Sequence, residues 1–135
     1  MTEQGPLTPA AELLLHQYAY GCYNSGVYEK AVHTFRLLTL FRSLSPEYWY
    51  GLGSSLFALS KFEEAANAFQ LASCYKPDDV RPKIYLAECF AYLEKFDCAQ
   101  KLIDEIKGCI GNNTCTLLKN EILLVQKKVD ALCQK

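Results

Sequence analysis

No two of the seven cysteines in this 135-residue chain are spaced as C-x-x-C, so neither a zinc site nor a thioredoxin-like redox pair is supported. No H-E-x-x-H, no G-x-x-x-x-G-K and no serine or cysteine nucleophile motif occurs, and histidine is limited to His16 and His33. The metalloprotease, P-loop and hydrolase readings fall with those motifs, and no enzymatic activity, metal or cofactor is expected. An excess of charge of either sign is missing too, with 14 basic and 15 acidic residues. The formal net charge is −1, with no run of five basic residues, which leaves no footprint for a nucleic-acid partner. No apolar stretch approaches the roughly 18 residues of a membrane span. Met1-Thr2-Glu3-Gln4-Gly5-Pro6 lacks the basic and apolar regions of a signal peptide. A cytosolic protein without stable membrane insertion is expected.

In that compartment the cysteines (Cys22, Cys74, Cys89, Cys98, Cys109, Cys115 and Cys133) read mostly as small hydrophobes at helical core positions. Cys109 and Cys115 flank the Gly111-Asn112-Asn113 turn and could be brought close, but a reducing cytosol argues against a stable bridge. The sequon Asn112-Asn113-Thr114 would go unused there.

What the chain does have is a period. Ala31, Ala65 and Ala99 lie 34 residues apart, and other residues travel with them. Tyr18, Leu52 and Leu86 share one register, as do Ala19, Gly53 and Ala87, then Tyr28, Phe62 and Phe96, then Phe35, Phe69 and Ile103. Such a period marks stacked supersecondary units. Small residues recur where two helices must approach closely, and large ones where a helix pair buries its seam. The pattern resembles the tetratricopeptide repeat. Its second copy is the most faithful, with Trp49, Leu52, Gly53, Leu56, Ala65, Phe69, Ala72 and Pro77 in place. The expected fold is all-α and a single domain. It has three helix-turn-helix repeats in a right-handed superhelix, at about residues 12–45, 46–79 and 80–113, plus a C-terminal capping helix at about 114–133.

Helix ends are marked by their caps. Thr8-Pro9 and Ser45-Pro46 each offer an N-cap followed by proline at the first helical position. The first predicts a helix over Pro9 to Asn24, broken by Ser25-Gly26, with a partner over Tyr28 to Phe41. Ser60-Lys61-Phe62-Glu63 has the form of a capping box, opening a helix that Lys76-Pro77 ends. Asp78 and Asp79 are expected to cap the next helix. Its partner should begin near Lys95 and stop before Gly108, and Asn113-Thr114 should open the last. In that last helix Leu118, Ile122, Val125, Val129 and Leu132 recur at spacings of four and three. They suit a solenoid cap over the third repeat or, alternatively, a short coiled-coil-like dimer face.

With chemistry excluded, a binding surface remains. In stacked helix pairs the first helix of each repeat lines the concave side. The register puts Leu13, His16, Gln17, Tyr20, Tyr23 and Asn24 there from repeat one, and Glu47, Tyr50, Gly51, Ser54, Phe57 and Ala58 from repeat two. Repeat three adds Arg81, Ile84, Tyr85, Glu88, Ala91 and Tyr92. Five tyrosines and a phenylalanine thus point into one groove. Tyrosine combines a large apolar face with a hydroxyl at low entropic cost, which suits peptide contact. Only Glu47, Arg81 and Glu88 carry charge there, so the ligand should bring apolar anchors.

The segment Tyr18-Ala19-Tyr20-Gly21-Cys22-Tyr23-Asn24-Ser25-Gly26-Val27-Tyr28-Glu29-Lys30-Ala31 is similar to the first repeat of the class II type III secretion chaperones. Tyr50-Gly51-Leu52-Gly53 and Leu86-Ala87-Glu88-Cys89 resemble that family's second and third repeats, so the similarity covers roughly residues 12–107. The resemblance implies a bacterial cytosolic chaperone that holds a translocator subunit before export. An extended client segment would occupy the concave groove, with Tyr23 and Tyr28 matching family tyrosines and Tyr20 and Tyr50 matching aromatic positions. The register of Tyr28 also places it at the inter-helix seam. Only about ten residues precede the first helix, where the family usually carries a longer segment used in dimerisation, so a homodimer by that mode is left open. Two alternatives stand beside this reading: a chaperone of the needle subunit, whose client would enter as an amphipathic helix, and a general repeat scaffold for a multiprotein complex.

Overall fold

The computed structural model describes residues 7–110 and 116–134. The described residues form seven helices and no strand: α1 (Pro9–Asn24), α2 (Tyr28–Phe41), α3 (Pro46–Ala58), α4 (Phe62–Tyr75), α5 (Arg81–Tyr92), α6 (Phe96–Cys109) and α7 (Thr116–Cys133). Consecutive helices pack as α1 on α2, α3 on α4 and α5 on α6. Helices α2 and α4 also meet the next hairpin, and α7 lies against α5 and α6. The N-terminal hexapeptide, the Asn112 sequon, the turn at 111–113, the opening of the last helix at Asn113-Thr114 and any pairing of Cys109 with Cys115 lie outside the described residues.

The repeat register has a direct physical counterpart. Ala31, Ala65 and Ala99 are each 0% exposed, which is where a methyl group permits close approach of the two helices of a hairpin. Phe35, Phe69 and Ile103 fill the seam beside them. Two glycines on α3 let its backbone approach the first two seam residues. A Cβ on Gly51 would stand 2.4 Å from the Phe35 ring, and one on Gly53 would stand 3.0 Å from Phe69.

The three hairpin turns are also 34 residues apart, at Gly26, Ser60 and Glu94, and all three have left-handed backbones with φ of 81°, 62° and 63°. Each closes a Schellman motif. In the second, the Ser60 N–H donates to the Phe57 carbonyl at 2.9 Å and the Lys61 N–H to the Leu56 carbonyl at 2.9 Å. This corrects the capping-box expectation. Ser60 is held in the turn that ends α3, so the N-cap position of α4 falls to Lys61, which makes no side-chain cap bond. The proline-marked caps do form: Thr8 accepts from the Ala11 N–H and Ser45 from the Tyr48 N–H. Helix α5 begins after Val80 rather than after an aspartate cap, although the Asp79 carboxylate accepts the Arg81 N–H at 3.1 Å. Helix α6 runs through Gly108 to Cys109.

The cysteine expectation holds for Cys22 and Cys89, which are buried. It fails for Cys74, Cys98, Cys109 and Cys133, which are exposed. On α7, Ile122, Val125 and Val129 are buried in one cluster with Ile84, Ala87, Ala91, Ile103 and Ile106. Burial of each such side chain contributes roughly 1.5–3 kcal/mol, and α7 thus acts as the cap. At the other end of the stack no described helix covers the outer face of α1. Leu14 and Tyr18 on α1 are 67% and 51% exposed, whereas their register equivalents Tyr48 and Leu52 on α3 are each 5% exposed. The Trp49 indole Nε1 donates to the Ser43 carbonyl at 2.7 Å, pinning the start of α3 to the preceding turn.

Candidate peptide-binding groove

Helices α1, α3 and α5 present their aromatic residues to one another across the first helices of the three repeats. Tyr20, Tyr23, Tyr50, Ser54 and Tyr85 surround a cavity of about 200 Å³ that Phe35 and Gly51 complete. The missing Cβ of Gly51 is what lets the Phe35 ring lie there. Tyr20 meets Phe35 edge-on at 5.2 Å between ring centroids, and Tyr85 stacks on Phe69 at 5.4 Å. Tyr50 bridges the two sides, 5.8 Å from Phe69 and 6.0 Å from Tyr85. Phe57 carries the aromatic surface on to Tyr92, which stacks on Phe62 at 4.4 Å. Edge-to-face and offset contacts of this kind lock ring orientation, so the walls are formed before any ligand arrives.

The tyrosine hydroxyls stay protonated. Burial raises Tyr20, Tyr23, Tyr50 and Tyr85 above the ordinary phenolic value; Glu47 adds to the effect at Tyr20, and Glu121 and Glu88 add at Tyr85. Each remains a neutral donor and acceptor beside its apolar ring.

A second cavity, of about 300 Å³, adjoins the first at Tyr20 and Tyr50 and is more polar, with Glu47, Lys76, Asp79 and Arg81 on its walls. The Arg81 guanidinium is gripped by Asp79 at 2.8 and 3.0 Å and lies 5.4 Å from the Tyr50 ring centroid. Hydrogen bonding to Arg81 outweighs burial and holds the Asp79 carboxyl below its usual value.

Other predicted positions fall differently. The His16 ring lies tilted against Tyr20 at 4.7 Å between centroids, and its Nδ1 lies 3.5 Å from the Tyr48 hydroxyl. That hydroxyl donates to Glu12 at 2.6 Å, so His16 belongs to a network joining α1 and α3. Tyr28 touches the groove only through Tyr23, 5.6 Å away. Asn24 is exposed at the last turn of α1. Ile84 and Glu88 are buried, Ile84 in the cluster with α7 and Glu88 in an ion pair with Lys128 of α7, yet both still line a cavity between α5 and α7 at the end of the groove. Sequence reasoning missed Phe35, which lines the groove cavity from the second helix of repeat one, Phe69, which backs the Tyr50 and Tyr85 rings, and Glu121, Leu124 and Lys128, by which α7 extends its wall.

The family model for the tetratricopeptide repeat matches residues 15–42 and 46–79. This is a tetratricopeptide-repeat fold. Among solved structures, the Yersinia enterocolitica type III secretion chaperone SycD, in complex with a peptide of the translocator YopD, superposes with a TM-score of 0.82 at 20% identity. The match covers 95% of this chain and 96% of that one. PcrH, in complex with the chaperone binding region of PopD, matches at TM-score 0.80 and 17% identity over 94% of each chain. The TPR2B domain of yeast Sti1, from a complex with pHsp70, matches at TM-score 0.80 and 15% identity over 89% of this chain and 96% of that domain. Among the described residues no helix is long and apolar enough to cross a membrane.

Proposed function

We propose that this chain is a chaperone, acting in the bacterial cytosol, that binds and shields a translocator subunit of a type III secretion system. It works as one non-catalytic repeat domain, and an extended apolar segment of the client lies along the groove. The single observation that carries the reading is the tyrosine-walled cavity over Phe35 and Gly51, set in a fold whose solved examples include translocator-peptide complexes. Translocators carry apolar, membrane-active segments, and exposed apolar patches of that kind aggregate unless covered. Preformed aromatic walls limit the ordering cost of capturing such a segment.

The test is co-expression with the translocator, followed by binding measurements on the Tyr20→Ala/Tyr23→Ala/Tyr50→Ala triple variant. Affinity should fall at least about tenfold while the helical circular-dichroism signature persists. Loss of binding only together with helicity would make these residues core and overturn the proposal. The similarity to the Sti1 domain favours a second reading, a general repeat scaffold. Co-purification of several unrelated partners and no translocator would select it. A homodimer is a further element of the proposal, with the exposed Leu14 and Tyr18 of α1 as its apolar surface. Sedimentation across a concentration series tests it.

A further inference from the structure

We infer that the α5–α7 end of the groove is a site for one basic side chain of the client, bound by Glu88 and Glu121 where Lys128 sits in the free protein. The inference rests on the groove reading for its ligand and on separate observations for its chemistry. Between α5 and α7 lies a cavity of about 200 Å³ walled by Ile84, Tyr85, Leu124 and Val125, with both glutamates on its surface. Glu88 is 6% exposed. The Lys128 ammonium binds its Oε2, and its Oε1 takes no hydrogen bond from any described residue. No buried side-chain oxygen or nitrogen among the described residues lacks a partner, so Oε1 is not sealed from solvent, and Glu88 is among the residues that line the cavity. Glu121 makes no hydrogen bond or ion pair with a described residue. Lys128 pairs with Glu88, and the other cation that Glu121 faces, Arg81, is already gripped by Asp79, so three carboxylates share two cations and Glu121 is left without a partner of its own.

Lys128 shows which chemistry fits. Its ammonium contacts a carboxylate and lies 6.0 Å from the Tyr92 ring centroid, the surroundings that attract a cation to an aromatic face. Its side chain is 49% exposed, so its ammonium can return to solvent when the arriving cation takes its place at Glu88, whose side chain is 8% exposed. An arriving arginine could lay its methylene stem against Ile84, Leu124 and Val125 and engage a carboxylate through two N–H donors, which lysine cannot do.

The probes are N-acetyl-arginine amide and its uncharged analogue N-acetyl-citrulline amide, titrated into the intact protein and followed by amide chemical shifts. Arginine should move signals of residues 84–88 and 121–128, and citrulline should bind about two- to fivefold more weakly, the span of a part-exposed charge pair. Lys128→Met should tighten arginine binding by a similar factor, and Glu121→Gln, at a part-exposed position, should weaken it with the melting temperature unchanged. Equal binding of the two probes, shifts centred elsewhere, or weaker binding to Lys128→Met would overturn the inference. The arms also separate it from the function proposed above. Arginine binding here with no translocator segment binding the groove would sink the chaperone reading alone. Translocator binding that is blind to Lys128→Met and Glu121→Gln, with no arginine binding, would sink this inference alone.

Discussion

Gly26, Ser60 and Glu94 occupy the same turn position, but only glycine adopts a left-handed backbone without a Cβ penalty. Ser60→Gly should raise stability by about 0.5–1 kcal/mol, and Gly26→Ala should lower it by about 1 kcal/mol. Urea midpoints at constant slope would check both. The serine was misread because S-x-x-E satisfies the capping-box pattern at 60–63 while the same serine is claimed by the turn before it. A local pattern cannot rank two motifs that share a residue. Gly51 allows a sharper test. Helix propensity alone says that Gly51→Ala should stabilise α3 by roughly 1 kcal/mol. The 2.4 Å approach to Phe35, a fully buried ring, says the opposite. Overpacking should win, with a net loss of about 1–3 kcal/mol, and a higher melting temperature would refute the contact.

At the scale of elements, α7 is where sequence and structure part most clearly. Its cap residues were legible from their four-and-three spacing, because Ile122, Val125 and Val129 must bury their stripe somewhere. Its contribution to the groove was not. Continuing the 34-residue register would make Leu118 and Ile122 the counterparts of Ile84 and Glu88, yet the groove wall is built from Glu121, Leu124 and Lys128. The helix has its own phase, which no internal repeat encodes. Removing residues 114–135 should uncover Ile84, Ile103 and Ile106 and yield a protein that melts early or aggregates, seen by light scattering. A soluble, well-folded truncation would restore the dimer-face reading. The α4–α5 connection carries a pH-dependent contact. Asp79 is held below its ordinary value of 3.8 by hydrogen bonds from Arg81. A lowered carboxyl contributes stability that is complete above 3.8 and is lost as pH falls through the folded-state value. Asp79→Asn should flatten the melting-temperature profile in that acid window and leave it parallel to the parent at neutral pH.

For the whole molecule, stacking made the groove face readable, since one residue of known orientation fixes its equivalents in every repeat. The first-helix aromatics Tyr20, Tyr23, Tyr50 and Tyr85 could therefore be placed together before any coordinates. Phe35 reads only as seam, because a seam ring becomes a groove ring where the facing helix is thinned to glycine, a three-dimensional coincidence. The four tyrosines share a titration signature. Their folded-state values are raised by burial, so the stability they carry is intact below the ordinary value of 10.0 and drains away as pH rises through the raised ones. Ultraviolet phenolate titration should show exposed tyrosines ionising first and these four only with alkaline unfolding.

Trp49 is the only tryptophan, and its indole is bound to the Ser43 carbonyl at the α2–α3 turn. It lines neither groove cavity, whereas tyrosines line both. The chain thus carries one indole that stands apart from the groove. Excited beyond the absorption of the nine tyrosines, its emission follows the join between the first and second repeats. A client that occupies the groove should leave that emission quiet, so an unlabelled sample can report unfolding without responding to occupancy.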